Sequence, residues 1–150
     1  MKKKITSAII LMIIASMSLV ATSIRPYSIV NSNYTYELSS ENSIKFRGTE
    51  YTQGVYFNGY NHNSNYKNPK VLYNLDSRFR DVVCLVAMNT NNTNDCDTSF
   101  VKFYLDGKLI KTVSLKKGIA AQTVTVPLNY RKQLQIELGC YAIVADINFR

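Results

Sequence analysis

Apolar residues recur at every second position along most of this chain, in short runs broken by turn residues about every ten positions. Val71, Tyr73 and Leu75 alternate with Lys70, Leu72 and Asn74. Val124, Val126 and Leu128 alternate with Thr123, Thr125 and Pro127, and Leu134, Ile136 and Leu138 with Gln133, Gln135 and Glu137. A period of two gives each run one apolar side, the mark of a half-buried strand; a helix would repeat its face every three to four residues. No stretch of helical period stands against this. Tyr141, Ile143, Ala145, Ile147 and Phe149 fall on one face of the last run, while residues 82–88 are apolar on both faces and read as a central strand. Runs at 44–47, 50–57, 70–75, 82–88, 99–105, 108–115, 122–128, 133–138 and 141–149 make about nine strands, the layout of an all-β antiparallel sandwich. Pro127 suits a strand end or edge, because it has no N–H to give to a ladder.

The sharpest local expectation is a hairpin over residues 100–115. Asp106-Gly107 between two strand-like runs is the type I′ turn signature, because both turn residues need positive φ. A two-residue loop predicts Leu105 opposite Lys108, Phe103 opposite Ile110, and Val101 opposite Thr112. On that register Val101, Phe103, Leu105 and Ile110 face inward. The outer face then sets Tyr104 across from Leu109 and Lys102 across from Lys111, a like-charge pair that is tolerated when solvated or matched by an anion.

Residues 1–23 have a different character. Lys2, Lys3 and Lys4 precede an apolar run from Ile5 to about Val20, with Ala21-Thr22-Ser23 after it. This is the layout of a secretory signal peptide; as an uncleaved anchor, the apolar stretch is short for a hydrocarbon core about 30 Å thick. Eighteen Lys and Arg against ten Asp and Glu give +8, and cleavage removes three lysines and no acid, leaving +5. Much of the basicity is thus targeting chemistry, and the mature chain is expected outside the cytoplasm. Residues 24–43 are polar and weakly patterned, a linker or a leading edge strand ahead of a domain over 44–150.

The odd set of three cysteines admits one disulfide and one free thiol in an oxidising compartment. Cys84 and Cys140 lie in apolar runs and read as small buried residues. Cys96 lies in a polar loop, where either of the others or a second chain is within its choice of partners.

Two loops carry the residues with chemistry to offer. Segment 56–66 interleaves aromatics with amides and holds the chain's one histidine, His62. Sugar recognition needs that mixture: a flat ring against the sugar's C–H face, with amides or imidazole for its hydroxyls. Tyr60, His62 and Tyr66 are the expected contacts, with Asn58 and Asn61 beside them. Segment 89–97 is rich in Asn and ends in Asp95-Cys96-Asp97. Its two carboxylates suit Ca²⁺, although it lacks the spaced acids and closing Glu of an EF-hand. Catalysis has less to draw on. There is no Gly-x-Ser-x-Gly, zinc motif or phosphate-cradling loop, and a small sandwich leaves little wall for a deep cleft between two carboxylates. Lys102, Lys108, Lys111, Lys116 and Lys117 gather around the hairpin; for an exported chain, Lys102 and Lys111 point to an anionic polymer rather than to nucleic acid.

The order of segments over residues 44–150 resembles the NPCBM family, grouped with family-51 carbohydrate-binding modules. The matching pieces are Ile44-Lys-Phe-Arg-Gly48, Tyr51-Thr-Gln-Gly-Val55, Val71-Leu-Tyr-Asn-Leu75 and Phe79-Arg-Asp-Val-Val83. They continue with Val101-Lys-Phe-Tyr-Leu-Asp-Gly-Lys108, Gln133-Leu-Gln-Ile136 and Ala145-Asp-Ile147. The resemblance implies a jelly-roll-like β-sandwich with a loop-formed glycan site and no catalytic machinery of its own. The chain departs from the family pattern at Val55-Tyr-Phe-Asn-Gly59, where a glycine–small–His stretch is common, and at Asp146-Ile147, where Asp-Trp is common. It has no Trp at all. The expectation is a secreted, non-catalytic carbohydrate-binding module; the alternative is a surface-adhesion domain that holds a protein or an anionic polymer.

Overall fold

The alternating runs become strands, and the strands number twelve among the described residues. In chain order they are β1 (Ser28–Val30), β2 (Thr35–Leu38), β3 (Ile44–Phe46), β4 (Thr49–Tyr51), β5 (Gly54–Phe57) and β6 (Lys70–Asn74). They continue with β7 (Asp81–Met88), β8 (Thr98–Leu105), β9 (Lys108–Lys116), β10 (Gln122–Pro127), β11 (Gln133–Leu138) and β12 (Ala142–Phe149). The structure is a computed structural model that describes residues 24–31, 33–59, 67–89 and 96–150. The first sheet has the order β1-β6-β11-β8-β9 and the second β10-β7-β12-β5-β2, every pairing antiparallel. They form the expected all-β sandwich.

The inward sides of the alternating runs make the core. Val71, Tyr73, Phe103, Leu134 and Ile136 of the first sheet pack with Val55, Cys84, Val126, Val144 and Phe149 of the second. The outer face of the second sheet is apolar too. The β3–β4 hairpin lays Ile44, Phe46 and Tyr51 over Tyr56, Ala87, Ile143 and Ala145 in a separate cluster. That cover explains why residues 82–88 are apolar on both sides: β7 lies between β10 and β12, with a layer above and below.

Several expectations are corrected here. The run 50–57 is two strands, broken at Thr52 and Gln53, because β4 belongs to the covering hairpin and β5 to the sheet. Residues 24–43 supply two edge strands: β1 pairs with β6 and β2 with β5. The 106–107 turn has φ of 47° and 82° as the I′ signature requires, and Leu105 meets Lys108 and Tyr104 meets Leu109. Beyond that the register slips. Phe103 faces Lys111, Lys102 faces Thr112 and Val101 faces Val113, so Lys102 and Lys111 are not opposed. The extra residue in β9 is a bulge, and it leaves Ile110 39% exposed rather than inward. Lys111 instead turns to the inner side and donates from Nζ to the Thr125 carbonyl of β10 at 3.0 Å. An inward-turned charge on an edge strand discourages a further strand from pairing there.

A second irregularity breaks the single face read into the last run. Asp146 has φ 49° and the β12–β7 register shifts between Ala145 and Asn148. Ala142 and Val144 therefore join Ile147 and Phe149 in the main core, while Ile143 and Ala145 turn outward to the hairpin.

The cysteines divide cleanly. Cys96 and Cys140 form a disulfide and Cys84 is a buried free thiol, so Cys140 is not the free core residue its apolar run implied. Burial pushes the Cys84 thiol up to about 12. A group whose native pKa lies above its unfolded value favours the unfolded chain once that chain ionises. Stability is therefore expected to fall from about pH 9 upward, by about 1 kcal/mol per pH unit, with no contribution from this thiol below that. Urea midpoints at pH 8 and pH 10 measure it, and Cys84→Ala should remove most of the difference.

Candidate functional site

Strand directions decide which loops meet. The ends of β5 and β7 and the start of β12 lie side by side, since Ile143 pairs with both Tyr56 and Ala87. The chain therefore leaves β5 and β7 for the singled-out segments 56–66 and 89–97 at one pole of the sandwich. Both are rooted on Tyr141, whose φ is 52°. Its N–H donates to the Gly59 carbonyl at 3.3 Å, and its own carbonyl accepts from the Asn89 N–H at 2.8 Å. The Cys96–Cys140 disulfide ties the far end of the second segment to the residue next to Tyr141.

The side chains at this root form a connected polar array. Tyr56 Oη donates to Asn58 Oδ1 at 2.7 Å and accepts from Asn89 Nδ2 at 2.9 Å. Burial pushes the Tyr56 phenol above its ordinary value, against the opposing effect of the Asn89 bond. It therefore stays a neutral donor. The Asn58 N–H donates to the Tyr34 carbonyl at 2.8 Å. Tyr36 lies across from Tyr56 with ring centroids 6.5 Å apart. Tyr34 and Tyr36 are 66% and 42% exposed, and they leave aromatic surface open beside the loop root.

Of the expected contacts, Asn58 is placed at the root, with its side-chain oxygen engaged by Tyr56. Tyr60, Asn61, His62 and Tyr66 lie outside the described residues, as does Asp95. Asp97 is exposed and its carbonyl accepts from the Lys117 N–H at 2.9 Å. No group of three His, Cys, Asp or Glu side chains suited to a metal occurs among the described residues. Tyr34 and Tyr36 were not anticipated. Their signal was the Tyr–Thr–Tyr alternation inside a segment that otherwise looks like a linker.

The outer face of the first sheet is not a plain basic patch. Glu137 stands in register between Lys70 and Lys102. It accepts from Tyr104 Oη at 2.8 Å and from Asn68 Nδ2 at 3.2 Å. Lys102 Nζ lies 4.5 Å from the centre of the Phe100 ring, so its charge is partly engaged by an aromatic face.

The NPCBM/NEW2 domain family matches residues 16–139. The chain belongs to the NPCBM/NEW2 family. No curated protein sequence matches it. Among solved structures, the NPCBM fold is similar to the CBM51 module of Clostridium perfringens GH95, solved in complex with methyl-galactose. That likeness has TM-score 0.61 at 12% identity over 85% of this chain and 95% of the other. It is also similar to CBM51-2 with INT domains from Clostridium perfringens ZmpB, at TM-score 0.55, 18% identity and 87% of this chain, but only 28% of that one. Tandem CBM51 modules of a Streptococcus pneumoniae family 98 glycoside hydrolase match at TM-score 0.50 and 14% identity, over 71% of this chain and 35% of theirs. This NPCBM domain thus spans nearly all of one module but about a third or less of the larger proteins. At these identities the likeness speaks for the fold.

Proposed function

We propose that this NPCBM chain is an exported, non-catalytic module that binds neutral glycans at the pole where β5 and β7 end and β12 begins. The observation that carries the reading is the array of Tyr34, Tyr36, Tyr56, Asn58 and Asn89 around Tyr141. It offers open aromatic faces next to amides, the chemistry that sugar rings and hydroxyls require. Family membership supports it, and so do similar CBM51 structures that hold methyl-galactose and GlcNAc. Export is supported by the three lysines and apolar run at the N-terminus, and by a disulfide that suits an oxidising compartment.

A glycan array and cell-wall polysaccharide pull-downs test the reading. Tyr36→Ala is expected to weaken binding about tenfold, the worth of one stacked ring. Binding should survive a few hundred millimolar salt, because neutral hydrogen bonds and stacking are not screened. Binding untouched by Tyr36→Ala, Tyr34→Ala and Asn58→Ala together would place the site elsewhere. The adhesion alternative requires a salt-sensitive basic face around Lys102, and Glu137 in register with that lysine weighs against it. Ca²⁺ at Asp95 and Asp97 remains a separate expectation, and chelation during the array tests it.

A further inference from the structure

The opposite pole holds a cavity of about 280 Å³. It opens at the seam between the two sheets, under residues 24–26, where β2 ends and β5 begins. Its walls include Arg25, Glu37, Thr52, Gln53, Tyr73 and Ile147.

Tyr73 is the telling residue. Its ring is 1% exposed and packs 5.4 Å from the Phe149 ring, so it is part of the core. Its hydroxyl makes no hydrogen bond to a described residue, yet it is not one of the enclosed side-chain atoms without a partner, which are Thr35 Oγ1, Asp81 Oδ1 and Ser99 Oγ, so the oxygen itself opens onto the cavity. A phenylalanine would fill the same space but would present no donor to whatever occupies the cavity. The cavity that Tyr73 lines is where this hydroxyl meets a partner, water or a ligand. Burial first, then the nearby Glu37 carboxylate, push the phenol far above its usual value, so it is a donor at any physiological pH.

The other walls define the chemistry of that partner. Glu37 accepts and Arg25 donates, and the two sit 3.7 Å apart across the mouth with no net charge between them. Thr52 and Gln53 both donate and accept. Ile147 adds an apolar wall. A hard cation would find one carboxylate where it needs several oxygens, and an anion would face Glu37. A purely apolar guest would leave the hydroxyl, amide and carboxylate unpaired. A ring with adjacent neutral hydroxyls satisfies all of them, and the volume is at the small end of ligand pockets.

We propose that this cavity is a second binding site, for one neutral sugar ring or a comparable cyclic polyol, held by Tyr73, Glu37, Thr52 and Gln53. It does not depend on the reading of the loop pole.

The test is a ¹⁵N–¹H NMR titration of the protein with neutral hexoses, N-acetylhexosamines and inositol. The expected result is saturable shifts at the Gln53, Gly54 and Ile147 amides at millimolar ligand. Tyr73→Phe should weaken that binding at least fivefold while changing the melting temperature little, since it deletes only a hydroxyl that bonds to no described residue. Thr52→Val, at an exposed position, reads the same loss should Tyr73→Phe perturb the core. Shifts confined to Tyr34, Tyr36 and Asn58 would overturn the second site and leave the loop pole standing. Shifts at Gln53 that neither variant weakens would overturn it too, as would no saturable shift at either pole up to about 100 mM ligand, a concentration at which even very weak binding registers.

Discussion

Gly54→Ala is expected to destabilise the protein by about 3–5 kcal/mol, enough to leave much of a small domain unfolded at 37 °C. Gly54 has φ 130°, a conformation that side chains with a Cβ rarely adopt. The crowding is worse than the dihedral. A Cβ there would stand 2.1 Å from the Val144 carbonyl oxygen and 2.7 Å from the Ala145 Cα, both backbone atoms of β12. A flexible side chain could swing away; a strand in the middle of a sheet cannot. Relief requires β5 to move off β12 at Ala145↔Gly54, which also disturbs the pairing of Gly54 with Leu38 of β2. Urea denaturation of the wild type and the variant measures the cost. An alanine variant within about 1 kcal/mol of wild type would show that β5 is not held so close to β12. Gly107→Ala is the informative contrast. Its φ of 82° is also positive, but a Cβ there meets nothing within 4 Å, so only the dihedral is charged, about 1 kcal/mol.

The difference between those two glycines shows what a sequence yields. Gly107 announced its role through Asp106 and the alternating runs on either side, because a I′ turn is a local device. Gly54 did not, because what makes it necessary is a strand about ninety positions away in the chain. The same division runs through the fold. Val71, Tyr73, Leu134 and Ile136 turned inward as their period of two required. The errors lie where one residue is inserted. Alternation carries no signal for the bulges near Ile110 and Asp146, and each reverses the facing of everything beyond it. The proposed site has a signal of composition in the sequence but none of place. Segments 56–66 and 89–97 stand out by residue type alone, and their common root on Tyr141 follows from the strand order. Tyr34 and Tyr36 were hidden because β1 and β2 bury little, and edge strands have little apolar pattern to show. Tyr73 was correctly assigned to the core; only the structure shows that it lines a cavity.

The remaining large effect concerns the Cys96–Cys140 bond. Its partners are 44 residues apart in sequence, with Cα atoms 6.8 Å apart. Closing a loop of that length in the unfolded chain removes entropy worth about 4 kcal/mol, of which disulfides commonly deliver 2–4. Reduction, or Cys96→Ser with Cys140→Ser, should therefore lower the urea midpoint by a large fraction of a small domain's total stability. The bonded sulfurs pack against the main core beside Thr98 and Tyr141, so part of the loss is contact. Binding should suffer by a further step. Segment 89–97 is held at Asn89 by Tyr141 and at Cys96 by the disulfide. With one tether gone, any ligand that needs the segment in place bears its ordering entropy as well. Affinity at the loop pole is accordingly expected to fall several-fold on reduction under conditions where the chain is still folded, while the seam cavity around Tyr73 keeps its shape. A Cys84→Ala background makes the experiment decisive. If the stabilisation belongs to Cys96–Cys140, the difference between oxidised and reduced protein persists there in full; if Cys84 exchanges into the bond, the difference shrinks.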